Sequence, residues 1–154
     1  MRIKTKSFVE AMRSTFFEMA DINLEIEEPR DFLREEEIYT DISSTIGIFG
    51  NERLSVIFTS RESSLIRIIE KITGKKVTWK DRLLTDTTGE LLNILVGRAQ
   101  KISVERFNFS VPITVKGKDH EVRTPYGSYN YVNSYFLSQG EKNNTGLYIV
   151  RTFR

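Results

Sequence analysis

Apolar residues recur at helical spacing in three stretches of the chain, residues 6–20, 60–73 and 81–102. In each stretch they return every third or fourth position, so a helix would carry them along one side. The pattern therefore predicts three amphipathic helices, of which the third is the longest. Thr59 and Glu62 match a capping box at the start of the second helix, and Gly74 follows its last apolar turn as a predicted C′ residue.

Alternating apolar and polar residues predict strands between and after these helices. Residues 22–28 alternate in this way, and an acidic linker follows them. Two β-rich runs, residues 38–49 and 53–60, are joined by Gly50-Asn51, a dipeptide suited to the positive φ of a hairpin turn. A hairpin is therefore predicted ahead of the second helix.

The C-terminal part of the chain continues with strand patterns after the third helix. Residues 107–117 read as one strand. Residues 130–139 and 146–153 read as a last hairpin across the polar loop 140–145.

The two halves of the chain share the order helix, strand and hairpin. This order runs through residues 6–60 and again through residues 83–154, which suggests an internal structural duplication. The predicted fold class is α+β, a mostly antiparallel sheet with helices on one face, built from two helix-strand-hairpin pseudo-repeats. We expect a single domain over residues 1–154.

The composition excludes several classes of function. The chain has 154 residues, 39% of them hydrophobic, which is enough to bury a core. Its charges nearly balance, with 23 basic and 21 acidic residues, and no long block of one sign marks a nucleic-acid tail. Cysteine is absent and His120 is the single histidine, so disulfides and thiolate sites are excluded and a His-based metal cluster or Ser-His-Asp triad is disfavoured.

Other features of the sequence have structural interpretations. No apolar stretch has membrane-spanning length, and charged residues interrupt the N-terminal segment where a signal peptide would be continuous, so we expect a soluble, cytoplasmic protein. His120 is interpreted as structural and Trp79 as a core anchor. The aromatic run YGSYNYVNSYF is interpreted as sheet packing rather than a surface for stacking nucleic-acid bases.

The third helix separates its apolar residues from its polar ones. At about 100° per residue, one arc is predicted to be buried: Leu91, Leu92, Leu95, Ala99 and Ile102. The opposite arc is predicted to be exposed: Asp86, Glu90, Asn93, Gly97, Gln100 and Lys101, with Gly89 at its edge. We call this exposed arc the polar stripe.

The two glycines of the polar stripe require a reason, because glycine inside a helix is less favourable than alanine by about 1 kcal/mol. A helix surface without side chains at Gly89 and Gly97 would let another macromolecule approach closely. The alternative is an ordinary solvated face whose glycines serve packing between helices. The pattern alone leaves both interpretations open.

The spacing D-x-x-x-E-x-x-N, formed by Asp86, Glu90 and Asn93 within GELLNILVGRAQ, resembles the signature of the CheC/CheX/FliY phosphatases of bacterial chemotaxis. The following segment, FNFSVPITVKGKDH with Pro112 and Gly117, is similar to the one after the signature helix in the CheX branch. The resemblance covers most of the chain and implies the CheX-like fold.

Only one copy of the signature is present, so the resemblance implies a CheX-like rather than a CheC-like protein. In the first helix, Glu10 occupies the position that corresponds to Glu90. Arg13 stands in place of the amide, and Phe17 stands in place of Gly97. The first helix therefore has the frame of the signature without its chemistry.

The resemblance implies that the substrate is an aspartyl phosphate on a receiver domain, such as phosphorylated CheY. An acyl phosphate has a good leaving group, so its hydrolysis needs a positioned water more than a strong base. Asn93 is implied to hold this water, because a neutral amide donates and accepts hydrogen bonds without repelling phosphoryl oxygens. Glu90 is implied to dock to a lysine in the receiver's active site, although it could also be an ordinary solvated carboxylate.

Asp86, Gly89 and Gly97 are predicted to contact the partner, and Asp86 could instead favour the N-terminal part of the helix. No acidic or histidine cluster in the sequence resembles a Mg²⁺ site. We therefore expect no metal or cofactor bound by this chain and expect Mg²⁺ in the partner receiver domain. The resemblance also implies a homodimer formed through sheet edges, and we expect no nucleic-acid or membrane partner.

Two alternatives to the phosphatase stay open. One is a non-catalytic adaptor that binds receiver or flagellar-switch proteins with the same stripe. The other is an unrelated α+β scaffold in which Glu90 and Asn93 are only surface groups.

Overall fold

The three predicted helices are all present, each within two residues of its predicted bounds. The computed structural model describes residues 2–28, 30–32, 38–123, 128–136 and 141–151. In chain order the elements are α1 (Thr5–Ala20), β1 (Leu24–Ile26), β2 (Arg30–Phe32), β3 (Ile38–Gly50), β4 (Leu54–Ser60), α2 (Glu62–Thr73), α3 (Arg82–Ile102), β5 (Phe107–Phe109), β6 (Ile113–Val122), β7 (Ser128–Phe136) and β8 (Glu141–Arg151). None of the helices described is long and apolar enough to span a membrane.

The strand order of the sheet is symmetric between the two halves of the chain, because β1, β3 and β4 of the first half occupy positions equivalent to those of β5, β7 and β8 of the second half. The strands lie in the order β1-β7-β8-β4-β3-β5, with β2 also beside β7 and β6 also beside β3. All of these pairs are antiparallel. The central strands β4 and β8 are each flanked by their hairpin partner, and two further strands of the opposite half complete each edge. This order confirms the predicted α+β class and is the arrangement expected from an internal duplication.

All three helices contribute to one hydrophobic core against one face of the sheet. Val56 and Phe58 of β4, together with Leu147 of β8, point into this core. Ile57 follows Val56 on β4 and Tyr148 follows Leu147 on β8. Both side chains face the opposite side of the sheet and belong to a smaller apolar cluster. The alternation follows the period of two that a strand imposes.

The first predicted hairpin is confirmed, but its turn is not the predicted one. β3 ends at Gly50 and β4 begins at Leu54, and neither Gly50 nor Asn51 has a positive φ. Glycine is required at residue 50 for a different reason. A Cβ there would lie 2.9 Å from the backbone oxygen of Arg106, so the missing side chain allows β5 to approach β3 closely.

The predicted strand over residues 107–117 is divided into β5 and β6. Both strands pair with β3. On β3, Thr45 and Ile48 are three residues apart. Their pairing partners, Ile113 and Phe109, are four residues apart. The extra residue forms an irregularity that we call the 110–112 bulge.

Ser110 and Pro112 account for this bulge. Pro112 has no N–H to donate to β3, so regular pairing cannot continue through it. The backbone N–H of Ser110 donates to the carbonyl of Gly47 at 2.9 Å, and its Oγ accepts from the Gly47 N–H at 2.9 Å. The bulge is thereby fixed to β3 although it leaves the regular ladder.

Three other predicted strand bounds differ from the structure. β1 is shorter than predicted, and β2 lies inside the predicted acidic linker. β8 begins at Glu141, so most of the predicted loop 140–145 is strand, because its backbone pairs with β7 despite its polar side chains. The predicted end of the preceding strand, residues 137–139, lies outside the described residues.

The predicted capping box at α2 is wrong. Thr59 belongs to β4, and Arg61 precedes the helix without a side-chain cap. Instead, the carboxylate of Asp41 on β3 accepts hydrogen bonds from the backbone N–H of Glu62 at 2.7 Å and of Asp119 at 2.8 Å. The other end of the helix is as predicted, because its C-terminal glycine adopts the left-handed conformation.

We expect Asp41→Asn to lower the free energy of unfolding by about 1–2 kcal/mol at neutral pH. Burial raises the pKa of Asp41, but the hydrogen bonds from Asp119 and Glu62 and the charge of Arg61 outweigh it and leave the pKa below its ordinary value. A lowered folded-state pKa gives stability that is present above the unfolded-state pKa, about 3.9, and is lost as the pH falls through the folded-state value. The difference between wild type and variant should therefore narrow below about pH 4.

Urea unfolding of both proteins between neutral and acidic pH measures this difference. Asp86→Asn, which changes an exposed carboxylate on α3, is the control and should leave the unfolding curve unchanged. A difference for Asp41→Asn that stays constant with pH would contradict the expectation.

Candidate functional site on helix α3

Contacts on both sides hold α3 in a defined rotation. At its start, the Asp81 side chain accepts a hydrogen bond from a backbone N–H of the first turn at 3.2 Å. Near its end, Arg98 forms an ion pair of 2.6 Å with Glu18 of α1, and the Gln100 amide donates to the carbonyl of Phe107 on β5 at 2.7 Å. The helix is therefore tied to α1 on one side and to β5 on the other.

The buried side of α3 contains four of the five residues predicted for it. Leu91, Leu92, Leu95 and Ala99 are fully buried. Ile102, the fifth, is exposed, because it is the last residue of the helix and lines an open cavity of about 320 Å³ between the ends of α1 and α3.

The polar stripe is exposed at its acidic residues and its amide. Asp86, Glu90 and Asn93 all lie at the surface. Within the part of the chain that the structure describes, neither the Glu90 carboxylate nor the Asn93 amide has a hydrogen-bond or ion-pair partner. Gln100 differs from them, because it is half-buried and its amide is used to hold β5. Glu90 and Asn93 therefore offer a free carboxylate and a free amide, three residues apart.

Asp86 is too far along the helix to act mainly on its N-terminal end. α3 begins at Arg82, and its first turn contains no acidic residue. The field of a helix terminus falls off within the first turn. The structure therefore does not favour the helix-terminus interpretation of Asp86, and its contact with a partner stays a prediction.

Gly89 and Gly97 have different surroundings. Gly89 is buried, so the prediction that it lies at the exposed edge of the stripe is wrong. A Cβ there would lie 3.3 Å from Thr114 Oγ1 and 3.6 Å from Pro112 Cγ, so this glycine allows α3 to pack closely on the bulge and β6. A Cβ at Gly97 would meet only Phe109 Cζ, at an ordinary 3.8 Å, and this position is half-buried.

The substitution Gly89→Leu is expected to lower the free energy of unfolding by about 1–3 kcal/mol, because the new side chain overpacks the contact with β6. The same substitution at Gly97 should keep or raise stability, by up to about 1 kcal/mol, because leucine favours the helix and has room. Urea unfolding of the two variants measures both effects. Equal stability of the two variants would contradict the packing role of Gly89.

The corresponding face of α1 is engaged by contacts within the chain. Glu10 forms an ion pair with Lys6 at 3.8 Å. Arg13 donates a hydrogen bond to the carbonyl of Leu24 at 3.3 Å, and Phe17 places an exposed ring where α3 has its second glycine. The face of α1 therefore differs from the polar stripe, where Glu90 and Asn93 have no such contacts among the described residues.

His120 and Trp79 have structural contacts. The two ring nitrogens of His120 lie 2.6 Å from the carbonyl oxygen of Gly117 and 2.9 Å from Ser43 Oγ, so both are occupied. Lys116 donates to the carbonyl of Trp79 at 2.5 Å and lies 5.3 Å from the centre of its ring. Across the described residues, no group of three or more His, Cys, Asp or Glu side chains is arranged to hold a metal ion.

The residues that flank the polar stripe were not predicted from the sequence. Phe109, Pro112 and Thr114 lie along the side of α3 that carries the two glycines. Pro112 belongs to the segment that resembles the CheX branch, but its contact with Gly89 depends on how β5 and β6 pair with β3. A sequence pattern within one segment carries no signal for that pairing.

Comparisons with known proteins identify relatives of this fold. A family model described as chemotaxis phosphatase CheX matches residues 42–136. The crystal structure of a CheC-like superfamily protein from Shewanella sp. PV-4 is similar with a TM-score of 0.80 and 24% identity, over 94% of each chain. The chemotaxis protein CheX from Vibrio vulnificus is similar with a TM-score of 0.81 and 23% identity, over 94% of this chain and 95% of that one. No curated protein sequence matches.

A third similar structure is a complex. The CheX-CheY-BeF3-Mg²⁺ complex from Borrelia burgdorferi matches with a TM-score of 0.80 and 16% identity, over 99% of this chain and 100% of that one. At these identities the structural matches show the fold alone. They confirm the predicted CheX-like fold.

Proposed function

Because the chain belongs to the chemotaxis phosphatase CheX family, we propose that it removes the phosphoryl group from a phosphorylated CheY-like response regulator in the cytoplasm. The observation that carries the proposal is the contrast between two corresponding helices. On α1, Glu10 and Arg13 are bound to other groups of the chain. On α3, Glu90 and Asn93 are exposed and have no such partner among the described residues. The polar stripe is therefore free to enter the active site of another protein.

Asn93 acts on the attacking water in this proposal. Water attacks the phosphorus, the bond between phosphorus and the aspartyl oxygen breaks, and the products are inorganic phosphate and the free carboxylate. The Asn93 amide accepts a hydrogen bond from the water and orients it in line with the bond that breaks. Because the amide is neutral, it enters the anionic site without repelling the phosphoryl oxygens.

Glu90 sets the position of Asn93 relative to the phosphoryl group. The two residues are separated by about 4.5 Å along the helix axis and by less than a quarter turn around it. A charge-assisted hydrogen bond from a receiver lysine to the Glu90 carboxylate fixes the depth to which α3 enters. We propose that no metal is held by this chain and that Mg²⁺ is held by the receiver. The complex of CheX with CheY from B. burgdorferi supports a receiver as the partner.

The lifetime of a phosphorylated receiver separates the phosphatase from the alternative adaptor. The receiver is phosphorylated with acetyl phosphate, excess donor is removed, and loss of phosphate is followed with and without this protein. We expect a catalytic amount of the protein to shorten the lifetime. Binding of the receiver without a shorter lifetime would favour the adaptor, and absence of binding would favour an unrelated scaffold.

We also propose that two chains form a homodimer through the edge of the sheet at β6. β6 pairs with β3 on one side and, in the strand pairing described, with no strand on the other. Near its start, Ile113 is 71% and Val115 50% exposed. A long edge with exposed apolar side chains favours pairing with a second chain.

Light scattering after size exclusion tests the dimer. Val115→Lys should convert it to a monomer, because a charge at this edge opposes strand pairing. Val104→Lys, at an exposed valine outside the strand, is the control and should leave the dimer intact. A dimer that persists in Val115→Lys, or a wild-type monomer, would contradict this interface.

A further inference from the structure

The 110–112 bulge runs along one flank of the polar stripe. Phe109, just before the bulge, lies 3.8 Å from the position of a Cβ at Gly97, and Pro112 Cγ lies 3.6 Å from a Cβ at Gly89. These two contacts are eight residues apart on α3, about 12 Å along its axis. Asn93 is midway between the two glycines, so the middle of the bulge passes beside the helical turn that carries the amide.

Val111 is the exposed apolar residue of this bulge. Its side chain is 78% exposed. It is held between Ser110, which makes two hydrogen bonds to Gly47, and Pro112, whose ring fixes its own φ. An apolar side chain on a fixed backbone can bind a partner with little loss of conformational entropy.

The segment that contains the bulge is uncharged. Residues 107–115, FNFSVPITV, include no Asp, Glu, Lys or Arg, although charged residues make up 29% of the chain. The opposite flank of α3 carries the ion pair between Arg98 and Glu18. An uncharged flank beside Asn93 neither repels nor binds phosphoryl oxygens, and it can exclude bulk water from the site when a partner covers it.

Building on the proposed function, we infer that Val111 and Pro112 form an apolar rim that contacts the receiver domain beside its phosphorylated aspartate. The rim is placed beside the polar stripe because Pro112 packs against Gly89 and Val111 precedes Pro112 in the bulge. The stripe supplies the polar contacts of the interface and the rim supplies an apolar contact. The receiver surface that fits the rim is an apolar or uncharged loop next to the phosphorylation site.

The matched variants Val111→Ser and Val104→Ser test the rim. Both remove an exposed valine, since Val104 is 92% exposed in the connection between α3 and β5. For Val111→Ser we expect KM for the phosphorylated receiver to rise about fivefold to tenfold, the effect of losing a valine side chain that the interface buries only in part, with kcat unchanged. Val104→Ser should match the wild type, and Val111→Ile should retain the wild-type KM.

A second measurement separates the rim from the proposed function. The dissociation constant for the receiver loaded with beryllofluoride, a stable mimic of aspartyl phosphate, is compared for the same variants. If the wild type binds the receiver without turnover, the phosphatase proposal fails. The ratio of the dissociation constants of Val111→Ser and the wild type still decides whether the rim contacts the receiver. An unchanged KM and dissociation constant for Val111→Ser, or a change only in kcat, would overturn the proposed contact between the rim and the receiver. The phosphatase proposal would not be affected. A wild type that does not bind the receiver would overturn both.

Discussion

Asn93→Ala is expected to slow dephosphorylation of the receiver by about 100-fold or more, because the attacking water loses the group that orients it. Binding of the receiver should remain, since the carboxylate of Glu90 and the apolar rim are unchanged. The fold should also remain, because Asn93 is exposed and has no partner among the described residues. Phosphate release under single-turnover conditions measures the chemical step, and the beryllofluoride-loaded receiver measures binding.

Asn108→Ala is the matched control for this experiment. Asn108 is also an exposed amide. It lies on β5 between Phe107 and Phe109, which face the core and α3, so its side chain points to the opposite face of the sheet. Its replacement should leave both binding and phosphate release at wild-type values. Normal phosphate release by Asn93→Ala would exclude its role in orienting water and would return the adaptor and scaffold alternatives to consideration.

Glu90→Gln is expected to weaken binding of the receiver by at least about tenfold, because a hydrogen bond between two charged groups becomes one between a charged and a neutral group. The glutamine keeps the size of the side chain, so the change isolates the charge. We expect KM to rise more than kcat falls, because Asn93 can still orient the water once the complex has formed. Steady-state kinetics over a range of receiver concentrations separates the two constants.

The internal duplication supplies the control for Glu90→Gln. Glu10 occupies the corresponding position on α1, and its ion pair with Lys6 lies at the surface. Exposed ion pairs contribute little stability. Glu10→Gln should therefore leave both kinetic constants unchanged. A larger effect of Glu10→Gln than of Glu90→Gln would place the docking surface on α1 and contradict its assignment to α3.

Helices were predicted from the sequence more accurately than the contacts between elements. The period of the apolar residues is a local property, so α1, α2 and α3 could be predicted to within two residues. The cap of α2 could not be predicted, because the carboxylate that accepts from its first turn comes from Asp41 on β3. The division between β5 and β6 was missed because it depends on an extra residue relative to β3, which only the pairing shows.

The candidate site shows the same limit. The helical wheel predicted that Glu90 and Asn93 would be exposed on one stripe, since both lie opposite the leucines of α3. It could not assign Gly89, which lies at the boundary between the two arcs, where a neighbouring strand decides between solvent and burial. The substrate could not be predicted from periodicity at all, and it was inferred from the family resemblance of the signature helix and the segment after it.

The central position of β4 and β8 has a consequence for how the chain folds. These strands come from different halves, and their pairing joins Leu54 to Arg151, about 100 residues apart in the sequence. The middle of the sheet therefore cannot form until residues 145–151 are present. Contacts between such distant residues slow folding, because the connecting chain must first lose the entropy of closing a long loop. The two halves resemble each other, yet neither has a complete sheet without the other, and a nascent chain that ends after α2 exposes the edge of β4.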